Sequence, residues 1–157
     1  MADFLDGIKR YRDHPYCRIR ALGDAMPATI WQDGSSRLLD YGTGEDKDGE
    51  KIVLFVPSLI NRGYILSLTR DRSLMRYLAT SGLRPMLLEW GAPAGKERDF
   101  GLEDYICGRL DGALDAALDA TGRPIALAGY CMGGMLAMPA ALARPADIFE
   151  LVLMATP

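Results

Sequence analysis

The chain has 157 residues, 49% of them hydrophobic, and a formal net charge of −3. That is enough apolar material for the core of one domain, and the mildly acidic balance gives no electrostatic footprint for nucleic acid or an anionic membrane. Cys17, Cys107 and Cys131 are odd in number and lack the close spacing of a zinc site, redox pair or disulfide framework, which fits a reducing cytoplasm and no bound metal.

The first 28 residues, beginning MADFLDGIKRYRDH, are polar, rich in arginine and broken by Pro15 and Pro27. They hold no apolar run of signal-peptide length. They read as an extension wrapping the domain, with a short helix and little chemistry. TIWQDGSSRLLDYG follows, two short strand-like runs around the turn former Asp33-Gly34, as in a hairpin. The segment GTGEDKDGE is a solvated loop.

From Lys51 the pattern changes to alternating strands and helices. KIVLFV, 51–56, is the continuous β-branched and apolar run of a strand buried on both faces of a parallel sheet. Residues 72–81 read as a helix with Leu74, Met75 and Leu78 on one face and Gly82 as its stop. A strand over 84–90 and the loop GAPAGKERDFG come next. Over 102–121, Leu102, Tyr105, Ile106, Leu110, Ala113, Leu114, Ala117 and Leu118 recur at helical spacing, Glu103 and Asp104 favour the positive end of the dipole, and Gly122 ends the helix. PIALAG is a third strand, 132–143 a helix, and 149–155 a fourth strand. This β-α-β order predicts an α/β fold: an open, mostly parallel sheet with helices on both faces.

Between the third strand and the helix after it stands GYCMGG. A nucleophile elbow, G-x-S-x-G, needs this strand-turn-helix context, and here cysteine stands where serine is usual: Gly129, Cys131, Gly133, with Gly134 following. A residue held on a strained turn needs neighbours without Cβ atoms, so that helix and strand can approach. The helix N-terminus is also aimed at the sulfur, which favours the reactive thiolate. Three plainer readings compete. A lone cysteine is often simply a buried core residue. Residues 124–143 carry no charge, span the length of a membrane helix and include a GxxxG, but they are weakly hydrophobic, contain Pro139 and sit among units of a sheet. A phosphate loop needs G-x-G-x-x-G or Gly-Lys-Ser/Thr, and neither is present.

In order and spacing, IVLFVPSLINRGYILSLTRDRSLMRYLATSGLRPMLLEWGAP, LEDYI, GYCMGG and LVLMATP resemble the polyhydroxyalkanoate synthase branch of the α/β-hydrolase superfamily. The resemblance runs from about Pro27 to Pro157. It implies a cytoplasmic acyltransferase that takes 3-hydroxyacyl-coenzyme A as substrate, with no bound cofactor, and elongates a polyester on an acyl-cysteine. It carries the nucleophile onto Cys131 and the backbone N–H groups of an oxyanion hole onto Met132 and Ser58. Thiol chemistry agrees, because passing an acyl group from coenzyme A to cysteine exchanges one thioester for another. The alternatives are a hydrolase cleaving esters or thioesters with the same cysteine, and a non-catalytic homologue that has kept the elbow.

In this superfamily the acid and the histidine follow the nucleophile. The only histidine here is His14, far upstream and read as a surface residue, and Asp147 and Glu150 read as solvated charges. No base is assigned, and 29–157 is expected to be the N-terminal part of a catalytic domain in a longer enzyme, inactive alone. On that expectation 149–155 is an apolar edge strand open to a second copy or a partner. Cys107 reads as structural, Trp31 and Trp90 read as packing groups, and Asn61-Arg62-Gly63-Tyr64 as either a loop cap or a pocket lining.

Overall fold

A computed structural model describes residues 6, 7, 9, 10, 27–42 and 50–157. His14, Cys17, the loop 43–49 and most of the N-terminal extension lie outside the described residues.

The hairpin is β1 (Ala28–Asp33) and β2 (Ser36–Asp40), antiparallel, with Gly34 in the left-handed region at φ 57°. β3 (Lys51–Val56) leads through a 3₁₀ turn at Gly63–Leu66 and a small ribbon of β4 (Ser67–Thr69) and β5 (Arg72–Ser73) into α1 (Leu74–Thr80). The helix is shorter than 72–81 because Ser73 caps it: its Oγ accepts from the Arg76 N–H at 3.0 Å, and the two residues before the helix pair as strand. β6 (Leu83–Glu89), α2 (Asp111–Thr121), β7 (Ile125–Tyr130), α3 (Met132–Ala143) and β8 (Ile148–Met154) complete the order. β3 has the bounds read from the sequence, and β6, β7 and β8 are each displaced from theirs by one residue.

The segment 102–121 departs more. It is not one α-helix: Asp104–Leu110 forms a π-helix that runs on into α2. A π turn adds a residue and puts the faces before and after it out of phase, so Leu102, expected on the apolar face, is 54% exposed. Tyr105, Ile106, Ala113, Leu114, Ala117 and Leu118 join the core as expected.

The main sheet runs β1-β2-β6-β3-β7-β8. β6, β3, β7 and β8 are parallel, and the hairpin adds antiparallel through β2. Alternation along the strands divides the core in two. Leu38, Leu54, Val56, Met86, Leu88 and Leu127 face α2 and α3, whereas Leu39, Phe55, Leu87 and Ala128 face Met75 of α1 on the other side. Helices therefore cover both faces, and the central strands read as continuous apolar runs for that reason. Among the described residues β8 pairs with β7 alone, and Phe149, Leu151, Val152 and Leu153 are exposed.

Arg144, just past α3, ties the layers by pairing with Asp111 and Asp115 of α2 and with Asp147. Burial alone opposes its charge, but the bonds to Asp147, Asp115 and Asp111 prevail and raise its pKa. Asp147 is thus an ion-pair partner and not the freely solvated charge expected, while Glu150 lies exposed within β8. Trp31 packs over Gly112 and the main core, as a packing group.

Candidate active site

Where a site can lie follows from the strand order. The chain leaves β3 towards β6 on one side and leaves β7 towards β8 on the other, so the connections diverge between two adjacent strands. Such a switch point opens a crevice at the carboxyl ends of the strands. Val56 stands opposite Gly129 in the β3–β7 register, so Pro57-Ser58 leaves the sheet beside Tyr130, the last residue of β7, and Cys131.

Cys131 occupies the turn between β7 and α3 at φ 54°, ψ −130°, a left-handed backbone that L residues other than glycine seldom adopt. The uncharged stretch 124–143 is thereby divided into a strand and a helix, and among the described residues no helix is long and apolar enough to cross a membrane. The Cys131 N–H donates to the Met154 carbonyl at 2.8 Å, and the Cys131 carbonyl accepts from the Gly134 N–H at 3.0 Å. The thiol carrier is held from both sides and half-buried, with its sulfur a free thiol.

The three elbow glycines are explained by what a methyl group would meet. At Gly129 a Cβ would strike the Gly134 backbone, with the Gly134 nitrogen at 2.7 Å. At Gly133 it would strike the Val56 carbonyl and stand 2.7 Å from that of Pro57, and at Gly134 it would strike Thr156. The first turn of α3 lies backbone against backbone on β7 and on the end of β3. Met132 opens that helix, where the preceding turn supplies no carbonyl for its N–H.

Ser58, 1% exposed, follows β3, and its hydroxyl accepts from the Ile60 N–H at 3.1 Å. Its side chain is engaged in its own turn, so any contribution to the crevice comes from its backbone. Asn61 and Arg62 are exposed, and the Arg62 carbonyl caps the 3₁₀ turn through the Ile65 N–H, which favours the loop-cap reading of that stretch.

Two arrangements carried no recognised signal in the sequence. The indole N–H of Trp90, at the end of β6, donates to the Pro57 carbonyl at 2.9 Å. A buried tryptophan needs a partner for that N–H, which is the one hint a sequence offers. Further out, Arg109 of the π-helix pairs with Asp33 and Glu97 and lies over the Phe100 ring. Glu97 also accepts from the N–H groups of Ser35 at 2.9 Å and Ala94 at 3.1 Å. These bonds, Ser35 first and then Ala94, hold its carboxyl below the ordinary value of 4.5. The network pins the loop after β6 to the hairpin turn and leaves the crevice alone. No group of three or more metal-ligating side chains is gathered among the described residues.

The mostly parallel sheet with helices on both faces, which sets this strand-to-helix turn at a switch point, is the fold of the α/β-hydrolases. Solved structures of that class share it: a thioesterase domain from the curacin biosynthetic pathway superposes over 85% of this chain and 46% of its own with a TM-score of 0.64 at 21% identity. A Bacillus licheniformis lipase does so over 80% and 49% with a TM-score of 0.60 at 15% identity.

Within that class the chain is homologous to the poly(3-hydroxyalkanoate) polymerases. It is 33% identical over 136 residues to the poly(3-hydroxyalkanoate) polymerase subunit PhaC of Haloferax mediterranei, 86% of this chain and 28% of that protein. It is 36% identical over 106 residues to the corresponding subunit of Synechocystis, 67% of this chain and 28% of that one. The chain thus spans just over a quarter of the length of these relatives. No family model matches it.

Proposed function

We propose that this chain carries the acyl-accepting half of a polyhydroxyalkanoate synthase site, with Cys131 as nucleophile and a 3-hydroxyacyl-coenzyme A thioester as substrate. The observation that carries the reading is the backbone of Cys131: a left-handed residue between glycines whose every Cβ is excluded, at the carboxyl ends of adjacent parallel strands. Strain of this kind costs on the order of 1–3 kcal/mol. A merely structural cysteine has no need of it.

In the proposed step the Cys131 thiolate attacks the thioester carbonyl carbon. The new carbon–sulfur bond forms, and the carbonyl oxygen takes the negative charge in a tetrahedral intermediate. The N–H groups of Met132 and Ser58 face that charge, and such donors contribute a factor of roughly 10²–10³ each. Collapse of the intermediate breaks the bond to the coenzyme A sulfur, which leaves as a thiolate and takes a proton from solvent. One thioester replaces another, so the acyl-enzyme is not a deep trap. Coenzyme A is therefore a leaving group here, and the reading needs no resident cofactor. It does need a reducing compartment such as the cytoplasm, where Cys131 stays a thiol.

The chain by itself is expected to stop at this adduct, since the reading assigns it no base for the elongation step. The test is incubation of the full chain with 3-hydroxybutyryl-coenzyme A, followed by intact-mass analysis and peptide mapping. One acyl group on Cys131, labile to hydroxylamine, with one equivalent of coenzyme A released, is the expected result. Release of free 3-hydroxybutyrate in excess of the enzyme would assign the site to thioester hydrolysis, and no modification of Cys131 would refute the reading.

A further inference from the structure

Trp90 is buried, 5% exposed, and does more than fill space. Its ring stands edge-on to Tyr105, with centroids 5.5 Å apart at 87°, and its carbonyl accepts from the hydroxyls of Ser35 at 2.9 Å and Ser36 at 3.1 Å. Main chain and ring are both clamped, so the indole N–H has a fixed direction, and it points at the Pro57 carbonyl.

That carbonyl belongs to the peptide unit whose nitrogen is Ser58. The peptide unit is planar and trans, so its C=O and N–H point in opposite directions. A donor fixed on one end therefore fixes the other. The Pro57 oxygen is turned inward, beneath the first turn of α3, where it would stand 2.7 Å from a methyl on Gly133. The Ser58 N–H is turned the opposite way. The hydroxyl bond from the Ile60 N–H acts elsewhere, holding the Ser58 side chain and the Leu59–Ile60 peptide.

We infer that Trp90 is a positioning residue: through its hydrogen bond to Pro57 it sets the direction of the Ser58 N–H, and with it half of the oxyanion hole for acylation of Cys131. The inference rests on the function proposed above and assigns Trp90 no contact with substrate. Its physical content is preorganisation, because a peptide free to rotate must be ordered again each time charge develops.

The test compares two reactions of one sulfur. Alkylation of Cys131 by iodoacetamide needs an accessible thiolate and no oxyanion hole, whereas acylation by 3-hydroxybutyryl-coenzyme A needs both. Two variants of the full chain remove the donor: Trp90→Phe, and Trp90 replaced by benzothienylalanine, in which sulfur takes the place of the indole N–H at nearly constant shape. The expected result is a fall of roughly 10–100-fold in the acylation rate, somewhat less than outright loss of an oxyanion donor, with alkylation within about threefold of wild type. Carbon-13 at the Pro57 carbonyl and nitrogen-15 at Ser58 report the bond itself, and both resonances are expected to shift in the variants. Unchanged acylation, or acylation and alkylation falling together in the benzothienylalanine variant, overturns the inference. A wild-type chain that forms no adduct fails at the earlier stage and overturns the proposed function along with the role of Trp90 in it.

Discussion

Gly133→Ala adds one methyl group where the structure has no room for it. The new Cβ would overlap the Val56 carbonyl and stand 2.7 Å from the Pro57 oxygen and 2.8 Å from its carbon. These are main-chain atoms of the last residue of β3 and of the residue after it, and β3 is hydrogen-bonded to β6 on one side and β7 on the other and cannot step aside. The helix must retreat instead, by roughly 0.7 Å to restore ordinary contact with Pro57 and by more at Val56, against the well-packed interior that α3 shares with the sheet. Overpacking of this kind costs about 1–3 kcal/mol. The rigid obstacle puts the expected loss at the upper end, about 3 kcal/mol, read as a fall in the urea midpoint at constant slope. Retreat of α3 also carries the Met132 N–H away from the carbonyl it is proposed to face. A displacement near 1 Å can cost about 10²-fold, so acylation by 3-hydroxybutyryl-coenzyme A should fall about that far. Gly122→Ala supplies the opposite case: Gly122 has the positive φ, 63°, that Gly133 lacks, and nothing lies within 4 Å of its Cβ position, so only backbone strain of about 1 kcal/mol should appear, with acylation unchanged. Wild-type stability and acylation in Gly133→Ala would refute the claim that close helix–strand approach fixes the elbow.

Cys131→Ser should keep the fold within about 1 kcal/mol, the change being one atom on a half-buried side chain, while mass analysis finds neither alkylation nor a hydroxylamine-labile adduct at position 131. Arg144→Ala removes three ion-pair partners at once from a side chain 19% exposed. Its partners are 37–60% exposed, so the loss should be modest, about 1–2 kcal/mol by urea unfolding, and acylation should not change. Glu97→Gln tests the carboxyl held below 4.5 by Ser35 and Ala94. A depressed folded value means that the unfolded chain binds the proton first. The stability Glu97 adds is present at neutral pH and is lost as pH falls through its folded value, below 4.5. Unfolding midpoints of wild type and variant should therefore differ at neutral pH and draw together as pH falls below 4.5; a gap that stays constant on acidification contradicts the assignment.

How much of this was open to reading depended on whether a feature is written in local pattern. Strands buried on two faces must be apolar at every position, so KIVLFV and PIALAG stand out, and the helix 132–143 was readable to the residue because Cys131 cannot continue a strand into it. The elbow glycines were legible for the same reason, as steric absences with fixed spacing. The π turn over 104–110 was not, since the periodicity of Tyr105, Ile106 and Leu110 is compatible with an uninterrupted helix and only the exposure of Leu102 betrays the change of phase. The pairing of Arg144 with Asp111 and Asp115 was hidden because it depends on how the end of α3 meets α2, whereas Asp147 stands only three residues from Arg144 and its pair is local.

The site shows the same division more sharply. A nucleophile announces itself, because the chemistry dictates a residue type and the turn dictates its neighbours. An oxyanion hole built from main-chain N–H groups dictates neither. Ser58 could be any residue that fits the turn, and what matters is the angle of one peptide plane. In the role proposed for it, Trp90 sets that angle; it lies 32 residues further along and reaches Pro57 only because β6 and β3 are neighbours in the sheet. A tryptophan directly after an apolar strand looks like core, and in the structure it is core as well as donor. The two roles share one side chain for a physical reason. A hydrogen bond that holds a peptide plane against developing charge is strongest where water is excluded, and the ring that donates the bond also excludes the water.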